Sequence, residues 1–552
     1  MSALSDVLGS SRKHGEYACP FQEVHTIDYV NNPSVYSWAT VTLVVRGEER
    51  VYLVLTNNMH VITVAERVRT PGGHLSWAEH SVTLPENLNL GRSNSLGIAA
   101  VAAMASEKTP GAVILSFIVK ERWDSVDDDQ HFGGPNPAAA AAAAAAASGN
   151  SGATWYFVSI KVTAEELAAR PFHEALHWAK QTFKADLKFH TPFCLQHIGS
   201  GMSNTFFLSG LDGSIHFFAE TADSSVARGS GGNVVATTGG GGSVITAGGS
   251  GVGNGNIGGG GGGDGSGSVG GGGGGGSGSD VAVASFLRDV QVKYTPEIVS
   301  VSKHAYTVSA IACLELPHSH CRISACGCTN GFLSVSVIDL ADMRVVKYAE
   351  VMLDGPINSL ELYEHAPKKQ QTPECLLAFS ERADIQLPSS TFSSSSSPQQ
   401  QQQQQQRVDL LVGGILGYAI WFANVQDGTL DESYDLPLPD GVDGVTCAKV
   451  VDNNLEGAPE VVVTTFSATA LGFRVTFEAP TAPPSFALKW AKCFEFPLLS
   501  LMTCNFSGGV LDDLLILGFR GCHVLQSTEV WECKDDAVAA LDALREIGSM
   551  VV

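Results

Sequence analysis

The amino-acid sequence predicts an all-β protein, a single β-propeller of seven blades. Three observations lead there: strand-like segments dominate, they recur as strand–turn–strand units, and their apolar positions run continuously instead of alternating. An apolar strand, a Gly- or Asn-containing turn and a second apolar strand make a hairpin, which cannot bury both faces alone. Radial stacking of such units covers both faces and leaves only short edges.

Six copies of the unit are clear. They are VYLVLTNNMHVITVA (Val51 to Ala65), TFFLSGLDGSIHFFAE (Thr205 to Glu220), RISACGCTNGFLSVSVIDL (Arg322 to Leu340), VDLLVGGILGYAIWFANV (Val408 to Val425), EVVVTTFSATALGFRVTF (Glu460 to Phe477) and DLLILGFRGCHVLQ (Asp513 to Gln526). A seventh falls at Ala112 to Glu121 or at Trp155 to Val162, on either side of an alanine run.

Helical periodicity is rare. The stretch from Thr163 to Phe183 starts like a helix, with Thr163 as N-cap and Glu166 three residues on, and Pro171 breaks or kinks it. Asp536 to Ile547 has apolar residues at i, i+3 and i+4 spacing, so residues 536–552 read as a C-terminal helix and tail beyond a propeller spanning 1–535.

Low-complexity segments interrupt the repeats at about 124–152, 224–279 and 386–407: an alanine run from Ala138 to Ala147, a Gly/Ser tract, and a Ser-rich then poly-Gln tract. Such compositions are expected to be disordered and dispensable for blade folding. The Gly/Ser tract is placed after the strand ending near Glu220, and the poly-Gln tract in the matching loop before Val408.

The formal charge of -23, from 56 acidic and 33 basic residues, comes without a basic cluster beyond Arg12-Lys13-His14 and Lys368-Lys369. This disfavours nucleic acid and polybasic membrane binding. No stretch reads as a signal peptide or a bilayer-spanning run, so a cytoplasmic location is expected. The 12 cysteines are scattered and read as small buried apolar residues.

Enzyme signatures are missing. Chance G-x-G-x-x-G matches in the Gly tract do not follow a strand and open a helix, and there is no G-x-S-x-G elbow, H-E-x-x-H or Walker lysine. His318, His320, Cys321, Cys326 and Cys328 have no common zinc-site spacing and read as strand thiols with loop histidines. The sharpest local pattern runs from Asp452 to Glu460. It offers Asp452, Asn454, Glu456 and Glu460 as Ca²⁺ ligands, with the Ala458 carbonyl, around a turn at Gly457. The same residues suit a loop whose polar side chains cap its own backbone. The equivalent loop from Asn505 keeps only Asn505, Ser507 and Asp513 as polar ligand positions.

Several ordered segments carry a family resemblance: Leu187 to Glu220, Ile323 to Glu361 with its Leu353-Asp354-Gly355-Pro356-Ile357 phrase, Val445 to Val475 with Gly457, Pro459 and Glu460, and Phe496 to Gln526, with weaker similarity from Val82 to Lys120. Together they resemble the kaptin family. That resemblance implies a propeller with FG-GAP/WD40-like repeats in a KICSTOR-type complex, beside a second propeller, a large scaffold and a small helical subunit. It further implies negative regulation of TOR signalling through amino-acid sensing, recruitment to the lysosome or vacuole surface, and actin-filament binding at actin-rich projections. The alternatives are an actin-binding cytoskeletal protein independent of TOR, and a calcium-dependent integrin-like propeller.

Calcium is tested by following melting during a Ca²⁺ titration. A ligand bound only by the folded state raises the melting temperature. An occupied loop gives a rise that Asp452→Ala abolishes, whereas a self-capped loop gives none.

Overall fold

In the computed structural model, residues 19–28, 36–45, 48–56, 59–69, 75–90, 96–122, 153–187, 192–198, 205–211, 213, 215–221, 286–289, 306–316, 319–365, 407–451, 459–479, 482–506 and 512–527 are described. They form seven four-stranded antiparallel sheets. Six follow chain order. Blade I holds β2 (Trp38–Val45), β3 (Glu48–Thr56), β4 (Val61–Arg69) and β5 (Leu75–Thr83). Blade II holds β6 (Leu96–Ala105), β7 (Val113–Arg122), β8 (Ala153–Val162) and β9 (Gln181–Asp186). Blade III holds β10 (Pro192–Ile198), β11 (Thr205–Gly210), β12 (Ile215–Glu220) and β13 (Leu287–Asp289). Blade IV holds β14 (Val308–Leu316), β15 (Cys321–Cys328), β16 (Phe332–Asp339) and β17 (Arg344–Met352). Blade V holds β18 (Ile357–Glu364), β19 (Val408–Gly414), β20 (Tyr418–Phe422) and β21 (Ser433–Asp435). Blade VI holds β22 (Val445–Val451), β23 (Glu460–Thr465), β24 (Thr469–Phe477) and β25 (Pro484–Cys493). Blade VII is made from both ends of the chain: β26 (Leu498–Cys504), β27 (Asp513–Gly518) and β28 (Gly521–Ser527) take β1 (Phe21–Asp28) as their outermost strand.

The six clear hairpins are the second and third strands of their blades. The two candidate segments for the seventh pair with each other, Val113 opposite Val162 and Arg122 opposite Ala153, so the alanine-containing residues 123–152 fall within a single hairpin.

Continuous apolar runs have a physical reason. The buried residues form seven clusters, one between each pair of adjacent blades, and successive residues of a second strand serve different clusters. In β27, Leu515 and Leu517 face blade I while Leu514 and Ile516 face blade VI. In β19, Leu410 and Val412 face blade IV while Leu411 faces blade VI. Side chains alternate across a strand, so a strand covered on both sides has no polar position to spare. Outer strands differ: β17 carries Arg344, Val346, Lys347, Tyr348, Glu350 and Met352 exposed.

In six blades the register slips at the start of the inner strand, as between Pro192 and Cys194 or Val445 and Cys447. A bulge adds local twist, which suits a strand turning into the channel. Blade packing also needs close approach at Gly472 in β24. A Cβ there would lie 2.1 Å from the Trp490 ring on β25.

The helical signal at Thr163 is real but shorter than its sequence pattern. Helix α1 (Ala164–Ala169) is capped by Thr163 in a capping box with Glu166, and Pro171 caps a second helix, α2 (Phe172–His177). Beyond it, Gln181–Asp186 is the outer strand β9, because edge pairing with β8 overrides the helical tendency. Phe172 packs on Tyr52 of blade I, with ring centroids 4.7 Å apart, so the helices wedge the outer seam between blades I and II. Among the described residues, no helix is long and apolar enough to cross a membrane.

Strand β1 joins the ring through both of its neighbours. Phe21 enters the cluster facing blade VI, and Ile27, fully buried, enters the one facing blade I. His25 stacks on Trp77 with ring centroids 5.2 Å apart and meets Glu79 at 3.2 Å. Ile27→Ala is expected to cost about 2–5 kcal/mol, as for other buried Ile-to-Ala truncations. Ile27→Asp is expected to cost more and to expose the blade VII–I seam to proteolysis. Thermal melting and limited proteolysis of the two variants measure this.

Candidate functional site

Three regions could carry function: the channel, the necks of the inserted segments and the turns at one face. The channel encloses about 460 Å³ and is lined by all seven inner strands. Several of its polar groups serve as stitches between blades. Gln196 Oε1 accepts from Ile311 N at 3.1 Å, and Ser359 Oγ accepts from Ala448 N at 3.0 Å. Tyr36 donates to the Ser309 carbonyl, and Lys449 of blade VI pairs with Glu361 of blade V. Burial works against the Lys449 ammonium, but the Glu361 carboxylate beside it prevails and holds its pKa above the ordinary lysine value. This describes a reinforced hub.

The inserted segments leave through closed necks. Residues 222–285 lie between β12 and β13, and Thr221 N donates to Phe286 O at 2.9 Å across their base. The Glu220 carboxylate accepts from Lys161 Nζ at 3.1 Å and from Glu107 N at 2.9 Å, with the Lys161 and Glu220 side chains both fully buried. Residues 366–406 lie between β18 and β19, where His365 N donates to Arg407 O at 2.9 Å. Both neck side chains then converge on Asp409. Its carboxylate meets His365 Nε2 at 2.7 Å and accepts from Arg407 Nε at 2.9 Å, Trp421 Nε1 at 2.9 Å and Asn424 N at 2.9 Å. The two tracts do not occupy matching loops as expected: one joins third and fourth strands, the other first and second. Their shared apolar flanks hid the difference, because inner strands read like second strands.

The turns between second and third strands lie at the same end of the ring as the starts of the inner strands. Ile98 N donates to Met59 O, and Phe466 N to Gly444 O. This face carries exposed apolar side chains at its tips: Met59 on blade I, Leu211 on blade III, Ile415 and Leu416 on blade V, and Phe466 on blade VI. Those of blades V to VII are connected. Leu416 is 66% exposed; Gly444 approaches the Ile415 carbonyl and binds Phe466; and Phe466 meets Phe519 of blade VII edge-on at 6.0 Å. Apolar side chains grouped on turns of a rigid ring suit protein contacts. Nothing in the sequence pattern separated these tips from ordinary hairpin turns; their exposure depends on ring geometry.

Of the four calcium candidates, Asp452, Asn454 and Glu456 lie outside the described residues, as do His318 and the helix expected at 536–547. Glu460 starts β23, opposite Val451 and Arg474. Cys326 and Cys328 lie in the core between blades III and IV, and burial pushes the Cys328 thiol up to about 12. His320 and Cys321 lie at the other end of that strand.

A closed, seven-bladed all-β propeller with one apolar-tipped face is the class of protein these features define. Residues 279–533 match the family model described as KICSTOR complex protein kaptin, so the resemblance read from the sequence holds over this part of the chain. The KICSTOR complex protein kaptin of Mus musculus is 28% identical over 212 residues, which cover 38% of this chain and 43% of that protein. The chain thus matches less than half the length of this relative. Solved structures of BBS1N in complex with ARL6DN and of Sqt1 from Chaetomium thermophilum are similar at 9% and 8% identity. They cover 92% and 89% of this chain and 97% and 82% of theirs, at TM-scores of 0.40 and 0.41. The blade count follows from the sheets themselves.

The Asp409 neck makes a pH prediction. Burial opposes its charge, but the bonds from His365, Arg407 and Asn424 prevail and hold its pKa below the ordinary aspartate value. An unfolded aspartate titrates near 3.9, so its contribution is complete above about pH 4 and is lost as pH falls through the lower folded value. Asp409→Ala strands Arg407 and is expected to cost about 3–5 kcal/mol. Asp409→Asn should melt lower at neutral pH and lose less stability than wild type below about pH 4, as read by melting across pH.

Proposed function

We propose that this protein is a non-catalytic, protein-binding scaffold: a kaptin-like subunit of a KICSTOR-type complex that negatively regulates TOR signalling in response to amino acids. The observation that carries this reading is the connected apolar patch of Ile415, Leu416, Phe466 and Phe519, which falls within residues 279–533, the part matched by the kaptin model. A rigid ring holding such tips loses little conformational entropy on binding, so their burial goes into affinity. The named partners are a second propeller and a large scaffold, and the working location is the cytoplasm with recruitment to a lysosome or vacuole surface. The -23 net charge disfavours a nucleic-acid partner in this reading.

The test is affinity capture of the full tagged chain from cells of its source organism, with mass spectrometry, beside the Leu416→Asp and Phe466→Asp variants. The reading expects a large scaffold and a second propeller with wild type. It expects their recovery to fall by an order of magnitude or more in the variants, as hot-spot losses of about 2 kcal/mol or more imply. Both positions are exposed, so folding should survive. Recovery of actin-network proteins alone would favour the cytoskeletal alternative and overturn this one.

A further inference from the structure

At the outer seam of blades I and II, three side chains converge that neither the channel nor the apolar face uses. Glu66 on β4 and His80 on β5 are diagonal neighbours on one face of that ladder, since Glu66 stands opposite Ala78 and Val64 opposite His80. His80 Nε2 lies 3.4 Å from Glu66 Oε1. Helix α2 brings His173 over them, with its ring stacked on that of His80 at 3.7 Å between centroids and 11° between planes. One ligand atom from each residue lies within 4.8 Å of the others; His80 and His173 are half-buried and Glu66 is set deeper.

We propose that Glu66, His80 and His173 form a binding site for a divalent transition cation of the zinc class, clamping helix α2 of blade II to the outer edge of blade I. Two imidazoles and one carboxylate are the donor set of open zinc sites, which keep a further position for water. His80 and His173 are partly exposed, which leaves that position open to water. A tetrahedral ion with bonds of about 2.0–2.1 Å needs donor–donor edges of roughly 3.3 Å. The Glu66–His80 pair already has this spacing; the third donor starts within 4.8 Å of the other two, and one imidazole turns out of the stack so that both ring lone pairs point at the ion.

A second observation concerns His173 itself. Its Nδ1 is buried and has no hydrogen-bond partner, an arrangement that costs free energy unless something fills it. A simple ion pair between Glu66 and a protonated His80 would explain the 3.4 Å contact. It would not explain a second imidazole stacked on the first with an unsatisfied nitrogen.

The full-length protein, stripped with chelator, is titrated with Co²⁺ alone and with Zn²⁺ alone. The expected result is one saturable equivalent, visible Co²⁺ d–d bands and a higher melting temperature with Zn²⁺. No ultraviolet sulfur-to-metal band should appear, which separates this site from the chain's cysteines. His80→Gln and His173→Gln, on a strand and a helix, should each weaken binding tenfold or more. Metal-free melting of each variant shows whether it is folded, and Glu66→Gln provides a third, independently packed change. Absence of saturable binding at millimolar metal would overturn the site. So would unchanged affinity in the folded histidine variants, or a sulfur charge-transfer band.

Discussion

No blade of this ring owns a core. Each apolar cluster lies between two sheets, and the strands that fill it divide their side chains between one seam and the next. A blade removed from its neighbours would expose apolar side chains on both faces and lose the burial that stabilises it. Stability therefore belongs to the closed circle. That is why the first strand of the chain is the last strand of blade VII: pairing β1 with β28 ties the termini of the ring together and fills clusters on both of its sides.

The same constraint decides what could be read from the sequence. Second and third strands must be apolar on both faces, so they stand out as unbroken runs, and the seven-bladed architecture follows from them. Outer strands face solvent on one side. Their exposed and half-buried positions, as in β17 and β25, blend into surface composition. Strand β1 is invisible as a closing element because nothing local records a partner some 500 residues away. The helix at Thr163 was legible to its cap and its proline break, since those depend on local hydrogen bonds. Its end was not, because β9 forms by edge pairing with β8.

The functional surfaces were less legible than the fold. The Phe466 tip has the composition of any hairpin turn, and only the placement of three blades side by side connects it to Leu416 and Phe519. The Asp409 cluster joins residues on either side of a low-complexity tract. Sequence reading assigned Arg407 to that tract, whereas it is buried at the blade edge and bonded to Asp409. Likewise, Glu66 and His80 sit close in sequence, but His173 reaches them only because the β8–β9 connection folds back across the seam.

The closed necks bear on how this gene can change. A segment that leaves and re-enters between hydrogen-bonded neighbours, as at Thr221 and Phe286 or His365 and Arg407, transmits little of its own length to the sheet. Closure entropy rises only with the logarithm of length, about 0.6 kcal/mol for each doubling. The tracts between these necks can lengthen or shorten at that small cost. In this architecture such drift can accumulate at two positions of the ring while leaving blade spacing, and any face that depends on it, unaltered.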